Sequence, residues 1–297
     1  MSDTKVINNQ YGFFELLNQP TDIELENYYK DIYYQESKGS YSKSYEVDEI
    51  EYFNNKYEQK YSILVEHNIL SCDTREFLDI GCGEGWGLNF FYSKGWNVTG
   101  VEHSSYGCSI HNEGMLPFLS EGEPEDFIKK LIAENKKFDV IWLDNVLEHL
   151  RNPLEMLMYC SRLLSDHGIL AIEVPNDFSV VQKRLLEKGC INGEFWVLIP
   201  DHLSYFNKDG LINLCSAAGL KYVDIISDYA IDFDLFNPCS NYKANPSVGP
   251  NSHKSRIEIE NMLHSISVEK TNKLYRVYAE LGIGRQITGF FKNNKLS

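Results

Sequence analysis

The run Phe77-Leu78-Asp79-Ile80-Gly81-Cys82-Gly83-Glu84-Gly85-Trp86-Gly87 joins an apolar stretch, an acid and a glycine-dense turn. Glycine reaches φ > 0 without a Cβ penalty and lets the backbone come close to a ligand, while a helix that follows offers free N–H groups. Asp79 falls at the carboxyl end of its strand, the edge at which open parallel sheets hold ligands. About 20 residues on, Val98-Thr99-Gly100-Val101 ends in Glu102, where the second strand of a doubly wound sheet places an acid for two ribose hydroxyls. Two acids around one glycine turn make a nucleotide-type ligand site. A dinucleotide fingerprint needs glycine at the sixth position of the turn, and counted from Gly81 that position is Trp86, so the pyrophosphate pattern is broken.

The elements that must position these residues alternate. Strands are predicted at Glu76 to Ile80, Asn97 to Val101, Phe138 to Leu143, Ile169 to Val174 and Lys221 to Ile226. Helices are predicted at Trp86 to Ser93, near Tyr106 to Gly114, over Pro124 to Glu134, and from Asn207 through Ala218. Such βαβ alternation implies a parallel sheet. Asn152-Pro153 opens a further helix, with Leu154, Leu157, Met158, Ser161 and Leu164 on one face and Gly168 closing it. Residues 1–65, rich in tyrosine and charge, read as an N-terminal helical cap, with helix signals at Pro20-Thr21-Asp22 and from Val47 to Tyr61. Residues 66–228 form the core, interrupted by an insertion at 177–200, and 229–297 a loop and C-terminal helical extension. The sheet is expected to be complete by Ile226. Arg285, Lys292 and Lys295 in the last stretch leave two readings, a phosphate contact or a solvated tail.

The order Asp-x-Gly-x-Gly-x-Gly followed by a strand ending in acid resembles the class I S-adenosylmethionine-dependent methyltransferases, whose ligand carries an amino acid rather than a pyrophosphate. The resemblance covers roughly Tyr57 to Asp228. It implies an α/β fold: a Rossmann-like, mostly parallel seven-stranded sheet with helices on both faces. It also implies S-adenosyl-L-methionine as cofactor, with Asp79 and the Gly81, Cys82, Gly83 and Gly85 backbone flanking its methionine part. Glu102, with His103 beside it, takes the ribose, and Asp144 and Asn145 lie near the transferable methyl group. The pattern Tyr11-Gly12-Phe13-Phe14, Pro20-Thr21, Tyr28-Tyr29 and Tyr33-Tyr34-Gln35 is similar to methyltransferases of bacterial surface-polysaccharide assembly, which act on sugars or their nucleotide- or phosphate-linked precursors.

Two segments are candidates for the chemistry. Transfer of a methyl from a sulfonium to a hydroxyl needs in-line approach and removal of a proton, and neutral histidine suits the second task near pH 7. Asp201-His202-Leu203-Ser204-Tyr205-Phe206 resembles the His-bearing segment of one bacterial methyltransferase subfamily, and His202 is the preferred base. Its alternative is a buried histidine that pairs with Asp201 and fixes the loop. Glu148-His149 is equally a catalytic pair or a helix-start pair bonded to backbone. Tyr205, Tyr11 and Phe13 are expected to wall the substrate. No metal is expected, because no His-x-x-x-His pair or dense acid cluster stands out.

Composition sets the remaining bounds. The chain has 297 residues, 43% of them apolar, and a net charge of −15, which argues against binding nucleic-acid backbones or anionic membranes. Its seven cysteines show no C-x-x-C spacing and read as free thiols. Met1-Ser2-Asp3-Thr4-Lys5 leads into polar sequence and no stretch of about 20 apolar residues follows, so a cytoplasmic protein is expected, with a small-molecule acceptor and a possible homo-oligomeric state. The lead expectation is a sugar O-methyltransferase. The rivals are a catalytically inactive cofactor-binding partner of an active homologue, and an NAD-dependent sugar oxidoreductase.

Overall fold

The computed structural model describes residues 5–21, 23–25, 44–71 and 74–294. The expected helix running on to Tyr28-Tyr29, and the Tyr33-Tyr34 and Tyr41 positions, lie outside them.

The strands of the main sheet are β3 (Glu76–Ile80), β4 (Asn97–Glu102), β5 (Leu119–Glu121), β6 (Phe138–Asp144), β7 (Leu164–Pro175), β9 (Leu220–Ser227) and β10 (Gln286–Asn293). Their order is β5-β4-β3-β6-β7-β10-β9. Six strands run in one direction, and β10, between β7 and β9, is antiparallel to both of its neighbours. β6 reads Phe-Asp-Val-Ile-Trp-Leu-Asp, buried until its last residue, as a central strand covered on both faces must be. Asp139 is tolerated there because it accepts from Thr74, Ser165 and the Glu76 amide.

Helices cover both faces: α2 (Trp86–Ser93), α3 (Tyr106–His111), α4 (Pro124–Ala133), α5 (Pro153–Leu163), α7 (Lys208–Ala217) and the pair α8 (Gly249–Ile266) and α9 (Val268–Leu281). Capping follows local chemistry. Asn207 Oδ1 accepts from the Gly210 amide at 2.8 Å to start α7, and Asn152 Oδ1 accepts from Glu155 to start α5. The buried face of α5 is Met156, Leu157, Cys160 and Leu163, whereas Met158, expected on it, is exposed. The helix also stops at Leu163 instead of running to Gly168, because Leu164 already belongs to β7. In the expected insertion, Ser179 and Gln182 form a reciprocal cap for α6 (Val180–Glu187).

Two expectations are corrected. The amino-terminal part is not all helical: β1 (Val6–Asn8) and β2 (Phe14–Leu16) form a hairpin, and β2 pairs with β8 (Ser204–Tyr205) in a small second sheet. Helix α1 (Val47–Glu66) then follows and runs past Tyr61. The carboxyl-terminal stretch is not a solvated tail, and the sheet is not complete at Ile226. Gln286–Asn293 fills the slot between β7 and β9 with Ile287, Phe290 and Phe291 buried. Burial of that apolar run outweighs the basic residues that flank it. A core ending at 228 therefore leaves out its own seventh strand.

Candidate active site at the carboxyl edge of the sheet

The glycine turn stands where the alternation placed it, at the carboxyl ends of β3 and β4. The Gly81 and Cys82 amides donate to the Val101 carbonyl, and the Gly83 amide donates to Glu102 Oε2 at 2.8 Å. Glu102 Oε1 accepts from the His103 amide, so turn and second acid are one hydrogen-bonded unit. His103 itself is half exposed, with its ring 3.6 Å from Glu123. Gly83 has φ 51°, and no atom lies within 4 Å of the point where a Cβ would stand, so its backbone faces open space as close approach of a ligand requires. At Gly81 a Cβ would come within 2.5 Å of Val146, and its absence lets the segment after β6 close over the turn. Cys82 packs its thiol against Gly100 and Leu88, and burial pushes that thiol far up. Asp79 is buried; desolvation first, then Asp144 and Glu102, holds its carboxyl well above the usual range. Trp86 donates from Nε1 to Glu84 at 2.7 Å and packs against the Phe53 ring, tilted at 42° with centroids 5.5 Å apart.

At the ends of β6 and β7 lies a network that sequence reasoning missed. Lys60 Nζ is 2.6 Å from Glu173 Oε2 and 3.2 Å from Asp144 Oδ2, and Lys56 Nζ is 3.7 Å from Glu173 and 3.9 Å from Asp228. Burial alone would raise Glu173, but Lys56 and Lys60 pull it down to about 2. The available signal was a lone acid inside the apolar run Leu170-Ala171-Ile172-Glu173-Val174, opposite two lysines four apart on α1. Asn145 adopts φ 54° and donates from its side chain to Asp144 Oδ1.

The two histidine segments, predicted separately, meet. The Leu203 amide donates to the Glu148 carbonyl, and His149 Nδ1 sits 2.9 Å from the Asp201 carbonyl and 3.3 Å from its carboxylate. The rings of His149 and His202 stand 4.9 Å apart, edge to face. Burial opposes protonation of His149, but Asp201 and Glu148 outweigh it and raise the ring to about 9. Burial, then the His149 cation, lowers His202 to about 4, so His202 is neutral at pH 7. Its Nδ1 is buried and has no hydrogen-bond partner among the described residues. Burial lifts Glu148 to about 8. One carboxylate oxygen of Glu148 and one ring nitrogen from each histidine lie within 4.8 Å of one another, a donor set that could hold a divalent cation and that no sequence spacing announced.

Of the three residues expected to wall the substrate, Phe13 and Tyr205 are buried, and Tyr11 is half-buried. Phe13 is buried against Phe206, with ring centroids 4.4 Å apart, and Tyr11 stacks on Phe13. Tyr205 is fully buried and donates its hydroxyl to the His202 carbonyl at 2.9 Å. These rings pack the core and brace the histidine loop, which is the common fate of large aromatic surfaces. A recess of about 280 Å³ lined by Glu76, Leu131, Asn135 and Phe138 lies at the opposite, amino edge, away from the ligand side of such sheets.

The profile of a family described as "Methyltransferase domain" matches residues 53–225, more than half of the chain. The chain belongs to this methyltransferase family. Its glycine turn, Glu102 and the seven-stranded order are those of a class I, S-adenosylmethionine-dependent methyltransferase. The ubiquinone biosynthesis O-methyltransferase of Actinobacillus pleuropneumoniae serotype 7 is 32% identical over 160 residues, covering 50% of this chain and 66% of that protein. The enzyme of the same name from Glaesserella parasuis serovar 5 is 26% identical over 189 residues, covering 60% of this chain and 76% of that one. A methyltransferase structure from Archaeoglobus fulgidus covers 80% of this chain and 94% of its own at 19% identity, with a TM-score of 0.49. Among the described residues no helix of the methyltransferase is long and apolar enough to cross a membrane.

Proposed function

We propose that this methyltransferase methylates a hydroxyl of a small polar acceptor, a sugar or a nucleotide- or phosphate-linked precursor of a bacterial surface polysaccharide, in the cytoplasm. The observation that carries the reading is His202: a buried ring kept neutral at pH 7, with an unpartnered Nδ1, on the ligand edge of the sheet. Asp79, the Gly81 to Gly85 backbone with Cys82, Glu102 with His103, and Asp144 with Asn145 bind the cofactor. When bound, S-adenosylmethionine supplies an electrophilic methyl on a sulfonium. His202 Nδ1 accepts the acceptor's hydroxyl proton as the oxygen approaches that carbon. Asp201 and the His149 cation fix the His202 ring, and Glu148 closes the cluster from below. Positioning of the acceptor contributes up to about 7 to 11 kcal/mol, and the base about 10² to 10⁴ in rate.

A second reading rests on the donor set of Glu148, His149 and His202. A divalent cation there would polarise the acceptor oxygen, and activity would then fall with chelator and return with added metal. The relatives' names raise an aromatic, quinone-type acceptor as the competing substrate class.

The test measures formation of the demethylated cofactor with nucleotide sugars, simple glycosides and catechols as acceptors. His202→Ala keeps cofactor affinity and lowers turnover at least about tenfold. Unchanged turnover removes His202 from the mechanism, and turnover of catechols alone moves the acceptor to the aromatic class.

A further inference from the structure

The basic carboxyl-terminal stretch carried a second reading, contact with a phosphate, and its Arg285 does reach the ligand edge. Gln286 pairs with Pro175, so Arg285 stands just beyond the carboxyl end of β7, and its carbonyl accepts from the Asn176 amide at 2.9 Å. Its guanidinium lies 5.3 Å from the Phe195 ring, which Lys243 Nζ also approaches at 4.2 Å. It lies close enough to His202 to disfavour protonation of that ring.

What surrounds Arg285 does not suit an anion. Nη1 is 4.0 Å from Asp177 Oδ1 and 3.7 Å from Asp232 Oδ2, so two carboxylates face the two cations. Asp232 is satisfied by the Tyr242 hydroxyl and Gln182. Asp177 is not: it is 1% exposed, and neither carboxylate oxygen has a hydrogen-bond partner among the described residues. Burial pushes its carboxyl up to about 7, with Arg285 pulling the other way. Arg285 Nη1, whose ion pairs are long, and the Nε1 of Trp196, a residue 1% exposed, also have no hydrogen-bond partner among the described residues. Trp196 packs between Phe178 and Phe195, at 5.4 and 5.3 Å, which joins it to Asp177 on one side and to Arg285 on the other. Phe178, next to Asp177, holds φ 53°, a conformation rare for a bulky residue and found where a loop is fixed for function.

Each buried polar group left unpaired costs about 1 to 3 kcal/mol, so a chain that keeps acceptor and donor atoms unpaired together is prepared for a ligand that answers both. A phosphate ester's dianion offers no donor to Asp177 and sets its own negative charge against that carboxylate and Asp232. A sugar does offer one: each hydroxyl donates and accepts, and a vicinal pair can donate to a carboxylate while accepting from a guanidinium. We propose that Asp177, Arg285 and the Nε1 of Trp196 form a subsite for the vicinal hydroxyls of a neutral pyranose, held beside His202 with the half-buried ring of Phe195 as its floor. The proposal rests on the sugar-acceptor reading and names the residues that would select it.

The test uses full-length protein saturated with S-adenosylhomocysteine and saturation-transfer NMR on methyl α-D-glucopyranoside, methyl α-D-galactopyranoside and methyl α-L-rhamnopyranoside, with catechol and inorganic phosphate as competitors. At least one pyranoside receives saturation from the wild-type protein. Asp177→Asn, which keeps shape, and Trp196→Phe, which keeps a ring and removes the N–H, each weaken that binding about tenfold or more, with calorimetric affinity for S-adenosylhomocysteine unchanged. Pyranoside binding retained by both variants overturns the subsite and leaves the sugar reading standing. Binding of catechol without any pyranoside overturns both, and displacement of the pyranoside by phosphate shows an anion site instead.

Discussion

Replacing Lys60 by methionine should destabilise the enzyme through the charge it leaves behind. Lys60 is 3% exposed and holds Glu173 at 2.6 Å and Asp144 at 3.2 Å. Opposite charges about 3 Å apart at an effective dielectric of about 20 attract by about 5 kcal/mol, and removing one partner of a buried pair costs about 3 to 5 kcal/mol. Lys56 at 3.7 Å and the Thr288 hydroxyl at 2.6 Å still serve Glu173, which places the expected loss at the low end, about 3 kcal/mol. Urea unfolding at pH 7 measures it. Adding Glu173→Gln removes the orphaned charge while keeping an acceptor for Thr288, so the double variant should recover most of the loss. Glu173 also sets an acid limit. Its folded value, lowered from 4.5 to about 2, contributes stability above pH 4.5 that is lost as pH falls through 2, and this portion should vanish in the double variant. A Lys60→Met protein within about 1 kcal/mol of wild type, or a double variant as unstable as the sum of its parts, would refute the argument.

Three further outcomes are expected. Glu148 and His149 both titrate above their ordinary values, at about 8 and about 9, so their contribution is present below the unfolded values and is lost as pH rises through 9. Unfolding free energy should drop on the order of 3 kcal/mol between pH 7 and 10, and the drop should flatten in Glu148→Gln/His149→Gln; an unchanged profile there removes the pair as its source. Gly83→Val fills the open space above the turn and should weaken S-adenosylmethionine binding more than about tenfold by calorimetry, for only about 1 to 2 kcal/mol of backbone strain. Near-normal cofactor affinity would place the ligand elsewhere. Replacing the fully buried Phe290 of β10 by alanine should cost about 3 to 5 kcal/mol in denaturant, and a loss below about 1 kcal/mol would contradict a seventh strand inside the sheet.

The parts of the site that were legible in sequence are those built by contiguous residues. Asp79, the glycine turn and Glu102 are fixed by local strand–turn–helix chemistry and by one βαβ spacing, so their order on the chain already describes their arrangement in space. The histidine cluster was half legible. His149 and His202 each stood out, yet it takes the Leu203 to Glu148 bond and the contact of His149 with Asp201 to bring their segments together. Lys56, Lys60, Glu173 and Asp177 escaped because their partners come from distant segments. Each is an ordinary charge until its neighbours are known. Phe13 and Tyr205 misled in the opposite direction, since an aromatic beside a glycine or a histidine looks the same whether it faces a ligand or the core. β10 was missed because eight residues with one central glycine give little periodicity, and a strand inserted between two others draws its stability from both neighbours and not from its own pattern.

The placement of β10 has a consequence for how the chain is made. It is later in the chain than β7 and β9, yet it lies between them, so during synthesis those two strands cannot pair with each other and must hold open a gap one strand wide. Until Ile287 to Phe291 emerge, two long apolar edges stand unpaired, the condition under which strands recruit foreign ones. The newborn protein is thus most exposed to aggregation just before its final strand arrives, and a chaperone that binds extended apolar segments would be needed at that stage more than at any earlier one.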